Sequence, residues 1–262
     1  MSKTEKEIAF LRGLTVEPEW TQRFTDIFDE TVKIKKIETL TYINAGAGNH
    51  AIELDEKIGN KVEIFAVCET EELQEIAQVK AEATKSSLDF STKMPLAESD
   101  FVLADASLVL PSDLEDFLKK VVHSSNNSVV FFLPTARSFG EIFSYLWEVL
   151  LDLDMLDKSE DVEKLINNLP TVSHVEEMFK NLGIKKIETT TKDEYFDFEN
   201  GTEFVESPLV KFFFMPVWFG FLNDKEKEQV SKKLAQKIDE DLDGMTFRFT
   251  VKATVMGGKR GE

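Results

Sequence analysis

A glycine turn near the start of the chain is the first place where the sequence could hold a ligand. The turn reads Asn44-Ala-Gly-Ala-Gly-Asn-His50 and lies between an apolar run at 37–45 and a helical pattern at 49–58. Glycine lets a ligand approach the backbone, and the first N–H groups of a helix point outward without intrahelical partners. The turn could therefore bind a nucleotide or another polar ligand, although strand-to-helix turns also use glycine for steric reasons.

An acid follows the next apolar run. That run, at 62–67, leads into Cys68 and Glu69, roughly 20 residues after the turn, where an acid commonly binds a ribose hydroxyl. Either residue occupies that position. Glu69 could equally cap the helix predicted at 70–83, because acids favour the first turn of a helix.

Further segments complete an ordered set. Asp89 and Phe90 precede Met94-Pro-Leu96, and Asp100-Phe-Val102 opens a fourth strand. Together with the turn and the acid, this order and spacing resemble the class I S-adenosylmethionine-dependent methyltransferases. A last strand ending in Val255-Met-Gly-Gly-Lys-Arg260 is similar to the closing antiparallel strand of that family, so the resemblance covers roughly residues 18–260.

The resemblance implies S-adenosylmethionine as the cofactor. The turn would hold its methionine end, Cys68 or Glu69 its ribose, and Asp89 with Phe90 its adenine. Residues 104–106 would face the methionine and the incoming nucleophile. The implied cofactor-binding residues are Asn44, Ala45, Gly46, Ala47, Gly48, His50, Cys68, Glu69, Asp89, Phe90, Ala104, Asp105 and Ala106.

The substrate side is predicted from aromatic residues. The run at 209–222 is rich in large apolar side chains, which are usually buried as core. A second interpretation makes it a lid over an apolar substrate, because small-molecule pockets are mainly apolar and aromatic. Arg137, which follows the fifth predicted strand, could form part of the same substrate-binding wall. The predicted substrate-binding residues are Arg137, Phe139, Phe143, Trp147 and Trp218.

The function predicted is methyl transfer from S-adenosylmethionine to a small, apolar or aromatic acceptor. No catalytic residue is assigned, although His50 could be a base, contact the cofactor or simply pack against the sheet. The alternative is a non-catalytic methyltransferase-like protein that serves as an interaction or scaffolding module. Its motivation is Asn44 where the family frequently has an acid, His50 where a third glycine is usual, and Cys68 where the ribose-binding acid most often lies.

The elements that must position these residues alternate along the chain. Strands are predicted at 37–45, 62–67, 101–104 and 129–133, with helices between them. This order predicts right-handed crossovers and a Rossmann-like, doubly wound, mostly parallel sheet of seven strands with an antiparallel last strand. A preceding helix is predicted at 17–32. The later half adds helical elaborations, so a single domain over 1–262 is expected: an N-terminal segment at 1–36, a cofactor-binding half at 37–135, and elaborations at 136–182 and 200–243.

Composition limits the partners. A formal net charge of −18 would repel nucleic acid phosphates, so no nucleic-acid partner is expected. No apolar run reaches the roughly 20 residues needed to cross a bilayer, and no signal core follows the charged first residues, so a cytoplasmic protein without stable membrane insertion is expected. One cysteine and three scattered histidines offer no metal site. The oligomeric state does not follow from the sequence.

Overall fold

A computed structural model describes residues 3–59, 61–242 and 244–261. Its seven strands form one sheet in the order β3-β2-β1-β4-β5-β7-β6, with the last strand antiparallel to the others. This is the predicted Rossmann-like sheet. The strands are β1 Thr39–Ile43, β2 Glu63–Val67, β3 Phe90–Ser91, β4 Ser99–Asp105, β5 Ser125–Thr135, β6 Ile184–Phe198 and β7 Phe247–Arg260.

The strand order reverses between β1 and β4. These two strands are parallel neighbours, with Leu40 opposite Phe101 and Ile43 opposite Ala104, while β2 pairs with the other side of β1. In open sheets of this kind, ligands bind at the carboxyl ends of the strands where the order reverses. The turn at 44–48 and the end of β4 therefore meet at the expected place.

The helices agree with the sequence pattern except at the N-terminus. A π-helix, Arg12–Thr21, precedes α2, so Pro18 lies inside a helix and not in the first turn of one at 17–32. The apolar spacing indicated helix correctly, but it does not distinguish the two windings. The α-helices are α1 Glu5–Leu11, α2 Gln22–Thr31, α3 Asn49–Ile58, α4 Glu71–Thr84, α5 Leu114–His123, α6 Gly140–Asp152, α7 Ser159–Asn168, α8 Val172–Asn181, α9 Gly201–Glu206, α10 Met215–Trp218 and α11 Asp224–Asp241.

The aromatic run at 209–222 is helical as far as Trp218, since a short π-helix, Val210–Phe214, leads directly into α10. Among the described residues, no helix combines the length and the apolar character needed to cross a membrane.

The chain divides into two compact units. The first contains residues 1–133, 172–192 and 253–262, and the second contains 134–171 and 193–252. The single-domain organisation over 1–262 stays a prediction, and its bounds at 1, 243 and 262 fall outside the described residues.

Each unit has its own core. In the first, strands β4 and β5 are apolar along most of their length, as expected for parallel strands covered on both faces. Phe131 packs edge-on against Phe179 of α8 with ring centroids 4.9 Å apart. In the second, aromatic rings from several elements pack around Phe249, which is fully buried.

Candidate functional site

The glycine turn begins directly after β1. Ala45 donates its backbone N–H to the carbonyl of Val67 at 2.9 Å, which ties the turn to the end of β2. Asn44 and Gly46 both have positive φ, +58° and +60°, and Gly48 at +86° is the N-cap of α3. The backbone of the turn therefore curls at the N-terminus of a ten-residue helix, where the first N–H groups have no intrahelical acceptor.

Phe90 lies against this turn. A Cβ atom on Gly48 would come within 2.8 Å of Phe90 Cζ, so only glycine allows the ring this close. Phe90 itself is buried and belongs to the two-residue strand β3. The predicted adenine-side residue and the glycine turn are thus in direct contact.

Glu69, and not Cys68, faces the turn. The backbone N–H of Gly46 donates to Glu69 Oε2 at 3.1 Å. Cys68 is buried, and burial raises the pKa of its thiol to about 12. Strand β2 ends at Val67, so the alternation of side chains along a strand no longer governs which way Glu69 points. Of the two predicted ribose residues, the acid is the one in contact with the turn, and its role in binding ribose stays a prediction.

The other oxygen of Glu69 is held by Arg12 of the N-terminal π-helix. Arg12 Nη2 donates to Glu69 Oε1, and the Arg12 side chain retains 12% of its exposure. Burial alone would lower the pKa of Arg12, but the carboxylates of Glu69, Asp105 and Glu17 together raise it. Arg12 is therefore a largely buried cation within a group of acids.

Glu17, from the same π-helix, enters the turn itself. Its Oε1 accepts the backbone N–H of Ala47, and its Oε2 lies 3.5 Å from the N–H of Asn49. The residue is only 5% exposed, and burial raises the pKa of its carboxyl to about 7 although Ala47 and Arg12 favour the charged form. A side chain of the protein thus accepts the N–H groups that would otherwise bind an anionic ligand.

The end of β4 supplies a second buried acid. Asp105 Oδ1 accepts the N–H of Ser107 at 2.7 Å, and the Asp105 carbonyl accepts the side-chain amide of Asn44 at 3.0 Å. Burial raises the pKa of Asp105 to about 6, although Arg12 and Ser107 favour its charged form. The adjacent Ala104 and Ala106 are buried and line this strand end.

His50 is held by neighbours beside the turn. Its Nδ1 lies 3.1 Å from the Tyr42 hydroxyl and its Nε2 lies 3.4 Å from Asp29 Oδ1. Phe28 and Tyr42 contact the imidazole edge to face. These contacts match the interpretation of His50 as a residue packed against the sheet, while a role in cofactor contact or catalysis stays a prediction.

Asp89 and the predicted substrate-binding residues differ in exposure. Asp89 is exposed at the start of the β3 segment. In the second unit, Arg137 is exposed with φ +77°, and Trp147 is half-buried. Phe139, Phe143 and Trp218 are buried against one another, with the Phe139 and Trp218 centroids 5.3 Å apart. These aromatic contacts match the core interpretation; the substrate role stays a prediction.

The donors and acceptors of the turn fit S-adenosylmethionine. Two glycines with positive φ, an acid aimed at the turn and an aromatic ring against Gly48 are the features that an amino-acid-bearing nucleoside would use. In this conformation, however, the cavity beside the turn is too small for the cofactor. The cavity beside the turn measures about 90 Å³, whereas small-molecule pockets run from roughly 300 to 1,000 Å³. Its lining includes Glu17, Tyr42, Gly46, Asn49, His50 and Asp105.

Solved structures share this architecture. The YcgJ protein of Bacillus subtilis superposes with a TM-score of 0.57 at 14% identity, covering 92% of this chain and 99% of that one. A phosphoethanolamine N-methyltransferase of Haemonchus contortus, in complex with phosphomonomethylethanolamine and S-adenosylhomocysteine, gives 0.55 at 10% identity, covering 100% of this chain and 59% of that one. The chain has the class I methyltransferase fold. Neither a protein-family model nor a curated protein sequence matches it.

The methyltransferase fold alone does not decide the chemistry. The [4+2]-cyclase SpnF also superposes, with a TM-score of 0.52 at 14% identity, covering 92% of this chain and 82% of that one. Related folds thus carry different reactions, and function must be argued from the site.

Two residues of the site, Arg12 and Glu17, were not predicted from the sequence. Both lie in an N-terminal segment with several other charged residues, such as exposed Glu5 and Glu19. One signal was present: Glu17 lies between apolar Val16 and Trp20 on a face that is otherwise buried. Nothing in its spacing, however, connects it to a turn 30 residues later.

Proposed function

We propose that this protein is an S-adenosylmethionine-dependent methyltransferase that acts on a small, apolar or aromatic molecule. The observation that carries the proposal is the Glu69 carboxylate, which lies 3.1 Å from the N–H of Gly46 where the strand order reverses. An acid beside a glycine turn at this position is suited to bind the ribose hydroxyls of a nucleoside whose polar end lies on the turn. The Haemonchus contortus enzyme with the same fold was crystallised with S-adenosylhomocysteine.

Each residue then has a definite task. The turn at Gly46 and Gly48 would offer backbone N–H groups to the carboxylate of the cofactor, Glu69 would accept its ribose hydroxyls, and Phe90 would pack beside its adenine. When bound, the cofactor supplies a methyl group on a positively charged sulfur. The chain's contribution is to hold that group in line with an acceptor, and such positioning accounts for a large part of the rate of bimolecular transfers. An acceptor that is already nucleophilic needs no general base.

The acceptor class is proposed from the aromatic residues of the second unit. Arg137, Phe139, Phe143, Trp147 and Trp218 would form its wall, with exposed Arg137 and half-buried Trp147 as the accessible members. Large aromatic side chains favour apolar or aromatic ligands over highly charged ones.

One observation favours the second candidate, a non-catalytic methyltransferase-like protein. Arg12 and Glu17 take the atoms on Glu69 and Ala47 that a cofactor would use. If this arrangement were permanent, the fold would serve only as an interaction module.

Thermal unfolding with S-adenosylhomocysteine separates the two candidates. Ligand at about one hundred times its Kd adds roughly 2.7 kcal/mol, which should raise the Tm by about 5–10 °C for a chain of this size. Gly46→Arg should abolish the shift by filling the turn. Transfer of tritium from methyl-labelled cofactor to a panel of phenols and amines then tests catalysis. No Tm shift at millimolar ligand, in either the wild type or a Glu17→Ala variant that clears the turn, would contradict the proposal.

A further inference from the structure

Glu17 places its carboxyl group where an anionic ligand would bind the glycine turn. Its two oxygens face the N–H groups of Ala47 and Asn49, next to the Gly46 N–H that Glu69 holds. A Cβ atom on Gly46 would clash with Glu17 Oε1, which shows how closely the carboxylate approaches the backbone. The carboxylate of an amino-acid-bearing cofactor would need the same N–H groups, so both cannot bind there together.

Arg12 occupies the second group that the cofactor would need, the carboxylate of Glu69. Its guanidinium is paired with Glu69, the acid that the proposed function assigns to the ribose. The backbone between Arg12 and Glu17 also packs against the turn. Gly13 lies so close to it that a Cβ there would be 2.8 Å from Ala47 Cβ. Lys80 of α4 holds this region by donating to the carbonyl of Gly13 at 3.4 Å and to Asn49 Oδ1 at 2.7 Å.

The same segment has features that make its displacement feasible. Its ten residues form a π-helix longer than the single turns in which this winding usually occurs. Pro18 contributes no backbone N–H inside it. Within the described part of the chain, the buried Arg12 Nε and Thr21 Oγ1 find no hydrogen-bond acceptor or donor, and unsatisfied buried polar atoms are costly. Specific contacts thus hold the segment in place, while its π-helical winding and its unsatisfied polar atoms lower the stability of that position.

We propose that residues 12–21 form a plug that competes with the nucleoside cofactor for the glycine turn and Glu69, and that must leave before the cofactor binds. This inference rests on the proposed function, because it takes the turn to be the cofactor site. The plug differs from a lid: a lid covers a bound ligand, whereas the plug and the ligand use the same atoms. Displacement exposes Arg12 and Glu17 to solvent and opens the cavity beside the turn.

The plug should release more easily as the pH rises. Burial raises the pKa of Glu17 above its ordinary value, so the seated carboxyl prefers its neutral form, whereas the displaced carboxyl ionises in solvent. Raising the pH from about 5.5 to 8 therefore favours displacement, and the apparent affinity for cofactor should rise by about tenfold or more. The charged and titratable groups around Glu17 are Arg12, Lys80, Glu69, Asp105, His50, Tyr42 and Glu53.

Trypsin provides a direct readout. Trypsin cleaves after Arg12 only when this residue leaves its contact with Glu69, and mass spectrometry identifies the new terminus at Gly13. S-adenosylhomocysteine should accelerate this cleavage in the wild-type protein. Cleavage after the exposed Lys6 provides the reference rate, because its side chain is 80% exposed in the seated state.

Two substitutions at Glu17 should change the affinity for S-adenosylhomocysteine in opposite directions. Glu17→Ala empties the seat and should tighten S-adenosylhomocysteine binding by about tenfold or more at pH 7. Glu17→Gln mimics the neutral acid, so it should bind more weakly than the wild type at pH 8 and lose the pH dependence. Glu82→Gln, which removes the same charge from an exposed position on α4, should behave as the wild type. Glu17→Gln keeps the shape of the seat and covers the case in which Glu17→Ala fails to fold.

The outcomes separate the two hypotheses. A Tm shift with ligand, faster cleavage after Arg12 and tighter binding by Glu17→Ala support the plug. A Tm shift with unchanged or slower cleavage after Arg12, and no gain from Glu17→Ala, overturns the plug and leaves the proposed function intact. No Tm shift in the wild type, Glu17→Ala or Glu17→Gln overturns both.

Discussion

The carboxylate of Glu69 accepts the backbone N–H of Gly46 at 3.1 Å, across 23 positions of the chain. This bond joins the end of β2 to the turn after β1, the two places that a nucleoside would span in a sheet whose strand order reverses here. It places Glu69 in contact with the turn, while the binding of ribose by Glu69 or Cys68 stays a prediction. The following predictions start from this geometry.

The first prediction compares those two neighbours. In a Glu17→Ala background, where the turn is cleared, Glu69→Gln should weaken S-adenosylhomocysteine binding by about tenfold or more, because hydrogen bonds to charged groups contribute roughly 1.5–3 kcal/mol. Cys68→Ala should leave the affinity within about twofold, since the thiol is buried and Glu69 supplies the contact with the turn. Isothermal titration measures both. A larger loss in Cys68→Ala than in Glu69→Gln would show that the wrong residue has been placed on the ligand side.

The second prediction concerns the left-handed glycine at the turn. Gly46→Ala should lower the free energy of unfolding by more than Gly183→Ala does. Both positions have positive φ, +60° and +85°, but only the Cβ at Gly46 would meet a neighbour, Glu17, whereas nothing lies within 4 Å of a Cβ at Gly183. The difference should be about 1–3 kcal/mol, typical of overpacking. Urea unfolding at pH 7 measures it, and equal losses would contradict the close approach of Glu17.

The third prediction concerns pH and stability. The pKa of Glu17 is raised to about 7 in the folded chain, against an ordinary value of 4.5. The folded state therefore binds this proton more tightly, and the stabilisation is fully present below pH 4.5 and lost as the pH rises through about 7. Relative to Glu17→Gln, the wild type should lose about 2–3 kcal/mol of unfolding free energy between pH 5 and pH 8. Urea unfolding of both proteins at the two pH values gives the difference; a constant offset between them would rule out Glu17 as the titrating group.

The fourth prediction tests the aromatic core of the second unit. Phe249 is fully buried, stacked on Phe196 with centroids 5.0 Å apart and in contact with Phe139. Phe249→Ala should lower the free energy of unfolding by about 3–5 kcal/mol, the usual cost of emptying a buried aromatic site. Phe10→Ala, at a residue that is 57% exposed, should cost less than about 0.5 kcal/mol. Similar losses in the two variants would mean that Phe249 is not a core residue.

Local patterns in the sequence predicted most of the fold. The alternation of strands and helices predicted the sheet, and the resemblance to the methyltransferase family implied the antiparallel last strand. Two features were not accessible. Strand β3 has only two residues, too short to show any periodicity. The extents of β6 and β7, which run to Phe198 and Arg260, were not accessible either, because strand ends depend on pairing partners that a single segment does not reveal.

The candidate site was likewise predicted only in part. Glu69, Gly46 and Gly48 were predicted because they follow strands, and strand ends meet at one edge of a parallel sheet. Arg12 and Glu17 reach that edge from a preceding helix, through side-chain contacts between segments 30 or more residues apart. Such contacts leave no periodic trace in the sequence.

Gly13 and Ala47 face each other with no room for another carbon atom between them. The two positions are therefore interdependent. A chain with valine at position 47 could not seat this segment even with Arg12 and Glu17 intact, and a chain with alanine at position 13 would have to shift one backbone against the other. In relatives of this protein, paired variation at positions 13 and 47 would indicate which of them retain the seated segment, before either charged residue is considered.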